Sequence, residues 1–262
     1  MNQENDLLFD VSDGIATITM NRPHRKNALS VYVSNRLVEL WQEIDRDPDI
    51  RVAVITSTDC GIFCAGMDLK ETAEIQEKEG VNILDKLTDP FMNRMRKVKK
   101  PIIAAMTGGF TAGGMVISLN SDLRVALAGT KCGVREAKVG RGSPWAVPLL
   151  WQMPQPILME MVLTAEWFEV ERMQQMGFIN YVEDTPDAVR ARARQLAKSI
   201  TVNAPLSVKA GKASILAGMS HGCDLGLEVA SLLHKEAYDS ADAIEGPKAF
   251  AEKRAPNWTG QY

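Results

Sequence analysis

Three short runs of almost unbroken apolar residues constrain this chain most: Val52-Ala53-Val54-Ile55, Pro101-Ile102-Ile103-Ala104-Ala105-Met106 and Leu123-Arg124-Val125-Ala126. Each is too short for a stable helix. Apolar residues on both sides suit a strand covered on both faces. Between the first two, and before them, lie helix-like stretches. Ile15-Ala16-Thr17-Ile18-Thr19-Met20 alternates with period two and is stopped by Asn21-Arg22-Pro23. Ser30 is placed to cap a helix whose apolar residues Val33, Leu37, Leu40, Trp41 and Ile44 recur at helical spacing. Asp47-Pro48-Asp49 ends it. Strand, turn and helix recur, which predicts an α/β chain of βαβ type.

After about residue 145 the texture changes. Segments 156–163, 169–176, 186–202, 205–218 and 222–239 read as helices with few strand signals between them, and a last one runs from Asp242 to about Arg254. No Gly/Ser linker or obvious internal repeat interrupts the chain. The expected division is an α/β core over 1–195 and a helical region over 196–262.

Composition excludes several classes of function. At 262 residues, 45% hydrophobic and 24% charged, the chain has material for a sizeable core. A formal charge of −3 offers no overall attraction to nucleic acid or anionic membranes. No apolar run approaches a membrane span, and Met-Asn-Gln-Glu-Asn-Asp is unlike a targeting peptide, so a cytoplasmic protein is expected. Cys60, Cys64, Cys132 and Cys223 form no Cys-x-x-Cys pair, and His24, His221 and His234 offer no metal-ligand spacing. Buried free thiols and no metal are expected.

Two segments carry chemistry. Thr107-Gly108-Gly109-Phe110-Thr111-Ala112-Gly113-Gly114-Met115-Val116 is a glycine-rich turn opening onto an apolar, helix-like stretch, and Phe63-Cys64-Ala65-Gly66-Met67-Asp68-Leu69-Lys70 is a second turn. Backbone N–H groups at such turns can hold a developing oxyanion, helped by the N-terminus of a following helix. Each such donor is worth about 3–4 kcal/mol of transition-state stabilisation.

Together the two segments resemble the paired oxyanion-hole loops of the crotonase (enoyl-CoA hydratase/isomerase) superfamily. Asn21-Arg22-Pro23-His24-Arg25-Lys26-Asn27-Ala28-Leu29 looks like that family's N-terminal signature. Asp122 stands in its usual aspartate place, and Ala249-Phe250-Ala251-Glu252-Lys253-Arg254 resembles its ending. The resemblance implies a ββα superhelical core with a helical C-terminal region that builds a homotrimer or a dimer of trimers. It implies an acyl-CoA thioester as substrate, coenzyme A being part of that substrate rather than a cofactor. It assigns the oxyanion hole to the N–H groups of Met67 and Gly113, and substrate contacts to Ala28, Ala65, Asp68, Leu69, Lys70 and Gly114. Arg25 and Lys26 fall where the family meets coenzyme A, and Lys253 where a neighbouring subunit reaches the nucleotide. The alternative for these three is a solvated basic surface.

One departure matters most. In the family's hydratases a glutamate follows the glycines; here that position is Val116. The second catalytic glutamate aligns with Glu136 in Cys132-Gly133-Val134-Arg135-Glu136-Ala137-Lys138, with Arg135 in place of the usual proline. Arg135 would lower the Glu136 pKa by charge pairing, whereas apolar surroundings would raise it. A single base suits double-bond migration through an enolate better than addition of water. Isomerisation is therefore favoured, with hydration despite Val116, or acyl-CoA binding without catalysis, as alternatives. Trp145 is expected to shape the acyl pocket. Arg141 would pair with a carboxylate on an acidic acyl group. Pocket walls are expected from 71–95 and 141–150.

Overall fold

The computed structural model of the protein describes residues 3–261. Strands β1 (Leu7–Ser12) and β2 (Ile15–Met20) form an antiparallel hairpin turned at Asp13-Gly14, both with positive φ. Helix α1 (Val31–Arg46) follows, with the Val33 N–H donating to the Ser30 hydroxyl at 3.1 Å. Next come β3 (Val52–Ser57), β4 (Ile62–Cys64) and α2 (Leu69–Glu79). A short α3 (Asn93–Arg96) leads to β5 (Ile102–Met106), β6 (Gly109–Thr111) and α4 (Gly113–Asn120). Then β7 (Leu123–Leu127) and β8 (Lys131–Gly133) precede two 3-10 segments, Glu136–Val139 and Pro144–Trp151, and helix α5 (Gln155–Thr164). The core is completed by β9 (Phe168–Glu169), α6 (Val170–Gln175) and β10 (Tyr181–Glu183). Helices α7 (Pro186–Thr201), α8 (Pro205–His221), α9 (Cys223–Leu233), α10 (Lys235–Tyr238) and α11 (Ala241–Ala251) close the chain.

A ββα unit repeats. In β3-β4-α2, β5-β6-α4 and β7-β8-α5 the first strand joins a six-stranded sheet, ordered β1-β2-β3-β5-β7-β10. The second joins a four-stranded sheet, ordered β4-β6-β8-β9. Within each sheet the repeated strands pair in parallel. The large sheet is buried on both faces, which is why its strands read as apolar runs. Val189, Ala193 and Ala197 of α7 pack against Val52, Val54, Ile103, Ala105 and Val125 on one face. On the other, Ala53, Ile55, Ala104, Met106 and Ala126 meet Leu37, Trp41 and Ile44 in the main core. The expected α/β fold with a helical C-terminal region, α7–α11, is the observed one.

Some elements differ from the sequence expectation. The hairpin strand β1 has only Leu7 buried along its length, so its pattern carries little signal. Segment 222–239 is two helices, α9 and α10, joined at His234. All four cysteines are free, but only Cys64 and Cys132 are buried; Cys60 and Cys223 are exposed, at a turn and at a helix start. Burial pushes the Cys64 and Cys132 thiols up to about 12, so neither is a nucleophile near neutral pH. Among the described residues no helix is long and apolar enough to cross a membrane. Nor do three or more His, Cys, Asp or Glu side chains gather to hold a metal.

Arg124 ties the sheet to α4. Its guanidinium donates to the carbonyls of Ser118 at 2.9 Å and Ser121 at 2.7 Å, and its Nε donates to Phe178. These bonds satisfy the Ser121 carbonyl just past the end of α4 and add a second donor to the Ser118 carbonyl, which also accepts the Ser121 N–H at 3.2 Å. Burial holds its pKa down at about 10, yet it stays charged near neutrality. Arg124→Met should lower the free energy of unfolding by about 3 kcal/mol, because buried carbonyls lose their donor. Urea denaturation measures this; an unchanged midpoint would show that the cap is unimportant.

Candidate functional site

The loops after β4, β6 and β8 meet at the carboxyl ends of the parallel strands, the place where open parallel sheets commonly bind ligands. After β4 the chain passes Ala65 and Gly66. The Leu29 N–H donates to the Gly66 carbonyl at 2.8 Å, and the Asp68 N–H donates to the Leu29 carbonyl at 2.9 Å. The Met67 N–H has no acceptor among the described residues. After β6 comes Ala112, at φ +49° and ψ −116°, an unusual conformation for a residue with a side chain. Helix α4 then starts at Gly113, whose N–H lies in the first turn and has no intrahelical acceptor.

The two loops touch. A Cβ on Gly66, which sits at φ +90°, would fall 2.6 Å from Ala112 Cβ; one on Gly113 would fall 2.6 Å from Leu29 Cδ1 and 3.3 Å from Gly66 Cα. Gly114 is equally confined, a Cβ there lying 2.5 Å from the Cys64 carbonyl oxygen. At Gly66 the positive φ and the Ala112 Cβ exclude a side chain, at Gly114 the Cys64 backbone does, and at Gly113 the nearest obstacle is the movable end of Leu29.

Met67 and Gly113 line a cavity of ≈ 320 Å³, within the range of small-molecule sites. Glu136, from the loop after β8, lines it too and is 9% exposed. Its Oε1 accepts from Trp145 Nε1 at 3.1 Å, and its Oε2 is buried with no partner. Burial raises the Glu136 pKa above the usual 4.5, outweighing the opposing hydrogen bond from Trp145. The guanidinium of Arg135 does not pair with it. It stacks 4.4 Å over the Trp167 ring and donates to the Ala165 carbonyl at 2.7 Å. Of the two effects expected at this carboxyl, burial prevails because the cation is turned away.

Val116, 4% exposed, lines the same cavity and presents only methyl groups to it. Ala65, Leu69, Trp145 and Arg141 are also on the wall. Ala28, Asp68, Lys70, Gly114, Arg25, Lys26 and Lys253 are not. Asp68 is buried and structural in its contacts: it caps α2 through the N–H groups of Lys70 and Glu71 and pairs with Arg22 at 3.0 Å and Arg25 at 4.0 Å. Ala28 lends its carbonyl to Arg22 at 2.6 Å. Lys26, Lys70 and Lys253 are exposed. The wall draws on 72–92, as expected, through Ile83, Leu84, Leu87, Phe91 and Met92. It also includes Leu29, the last residue of the N-terminal signature, and Ser34 and Trp167, which no local motif marks.

The profile of the enoyl-CoA hydratase/isomerase family matches residues 10–261. The chain belongs to that family. It is 36% identical over 256 residues to an (E)-benzylidenesuccinyl-CoA hydratase of Thauera aromatica, covering 96% of this chain and 98% of that protein. It is 37% identical over 261 residues to enoyl-CoA hydratase EchA19 of Mycobacterium tuberculosis, covering 97% and 96%. A solved enoyl-CoA hydratase structure from Mycobacterium tuberculosis H37Rv is similar to it with a TM-score of 0.87 at 34% identity, covering 98% of this chain and 100% of that one. The protein is thus a crotonase-type enzyme acting on acyl-CoA.

Two outcomes follow from this geometry. Gly66→Ala should force the loops apart and lower kcat about 100-fold or more, as loss of an oxyanion donor does; a folded variant with parental kcat would refute the contact. Glu136→Gln should be more stable than the parent at neutral pH. A carboxyl whose folded pKa lies above its unfolded one contributes stability below about 4.5 that is lost as pH rises through the folded pKa. The Tm difference between variant and parent should therefore shrink toward pH 4.5, and a pH-independent difference would contradict the raised pKa.

Proposed function

We propose that the protein adds water to the double bond of a 2-enoyl-CoA thioester, with Glu136 as the only carboxyl base. The observation that carries this reading is Glu136 lining one cavity with the unpaired N–H groups of Met67 and Gly113. Glu136 takes a proton from water as the water oxygen bonds to C3. The double-bond electrons move to C2 and the thioester oxygen, where the two N–H groups hold the charge. Glu136 then returns the proton to C2. A raised pKa suits a carboxyl that must both accept and release a proton near neutrality. The hydratases among its relatives support water addition over double-bond migration.

A second reading rests on Val116. An apolar side chain there gives an attacking water no carboxylate at that position to share with Glu136. The same base and oxyanion donors would shift a 3-enoyl thioester to the 2-enoyl isomer by moving a proton from C2 to C4. Apolar side chains exposed on the C-terminal helices, among them Ile215, Leu227, Leu232, Ile244 and Phe250, support assembly as a homotrimer or dimer of trimers.

Incubation with a 2-enoyl-CoA and, separately, a 3-enoyl-CoA separates the readings. A 3-hydroxyacyl-CoA carrying label from ¹⁸O-water is the expected product, and Glu136→Gln should slow its formation by about 100-fold or more. Conversion of the 3-enoyl thioester alone would identify an isomerase. No turnover of either would point to an acyl-CoA-binding protein.

A further inference from the structure

Three cations line the cavity, and two are already engaged. Lys138 Nζ donates to Glu166 Oε1 at 2.7 Å. Arg135 stacks on Trp167 and donates to the Ala165 carbonyl. Arg141 differs. Its backbone N–H donates to the Glu136 carbonyl at 2.9 Å, which fixes its place beside the base. Its exposed guanidinium has no carboxylate, carbonyl or aromatic partner among the described residues. The protein's other arginines at carboxylates, such as Arg172 and Arg190, show how readily this fold pairs that group.

Position adds to this. Arg141 lines both the main cavity and an adjoining depression, the two sharing Leu69, Thr72, Ile83 and Val139. The cavity's carboxylates besides Glu136 reduce to Asp89, whose Oδ2 accepts from the Arg94 N–H at 2.6 Å. Much of the remaining wall is apolar. An unpaired guanidinium at the edge of an apolar cavity is a fork for a planar anion, and its exposure keeps the desolvation cost of pairing low.

We propose that Arg141 binds a second carboxylate on the acyl group, so that the preferred substrate is the mono-CoA thioester of a dicarboxylic acid. The inference rests on the acyl-CoA reading above and names the substrate class of that site. Lysine would supply charge without the planar fork, so it would replace Arg141 only in part.

Calorimetric titration with unreactive saturated thioesters tests this apart from catalysis. The parent should bind glutaryl-CoA about tenfold more tightly than its uncharged methyl monoester, the scale of a hydrogen bond to a charged group. Arg141→Gln should abolish that preference while still binding the ester, and Arg141→Lys should retain part of it. Binding of both thioesters by the parent without preference would overturn the proposal alone. Equal weakening of both by Arg141→Gln would do the same, assigning Arg141 to a phosphate of coenzyme A. If neither thioester bound, the acyl-CoA reading would fall and this proposal with it.

Discussion

The site depends on one close approach, that of Gly66 to Gly113. A Cβ on Gly66 would fall 2.6 Å from that of Ala112, and one on Gly113 would press on Gly66 Cα at 3.3 Å and displace the end of Leu29. This contact brings together two N–H groups from loops almost fifty residues apart in sequence. It is held by the parallel pairing of β4 with β6 and by the bridge between Leu29 and Met67. Ala112 takes up the remaining strain in a conformation that non-glycine residues rarely occupy, at a cost of about 1–3 kcal/mol that the surrounding packing offsets. Donors fixed in this way need no rearrangement when charge develops on a substrate oxygen, which is the source of their effect.

The third loop belongs to the same repeat. Because β8 lies next to β6 in the small sheet, the segment after it delivers Glu136 to the cavity that the first two loops border. Its environment then sets its chemistry. Trp145 holds one carboxyl oxygen, burial raises the proton affinity, and Arg135 is diverted onto Trp167 instead of lowering it. A buried, half-satisfied carboxyl costs stability, which fits the role proposed for Glu136, since a base gains reactivity when partly desolvated. Helix α4 serves both ends of the arrangement. Its Gly113 N–H remains available at the cavity while Arg124 donates to carbonyls at its other end.

Local sequence determined a good deal of this. Continuous apolar runs mark β3, β5 and β7 because both faces of those strands are covered, by α7 on one side and the main core on the other. Ser30 caps α1, and the glycines of both loops are legible because the positive φ of Gly66 and the close approach of Gly114 to the Cys64 backbone disfavour any side chain. Glu136 is legible only through its place in a longer pattern of motifs, since an isolated glutamate in a short segment carries no signal of burial.

What the tertiary structure alone decided lies in contacts between segments distant in sequence. The strands β4, β6 and β8 have three residues each, too few for any periodicity, so the ββα repeat emerges only when they pair. Asp68 sits in the first loop motif yet spends its charge on the α2 cap and Arg22, and Arg135 sits beside Glu136 yet points elsewhere. Wall residues such as Leu29, Phe91 and Trp167 come from three separate regions. The glycine turn with valine in place of glutamate was plain in the sequence. Sequence identifies which backbone must be close-packed, because steric exclusion is local. It does not identify which way a charged side chain turns, because that is settled by whichever partner the fold brings within reach.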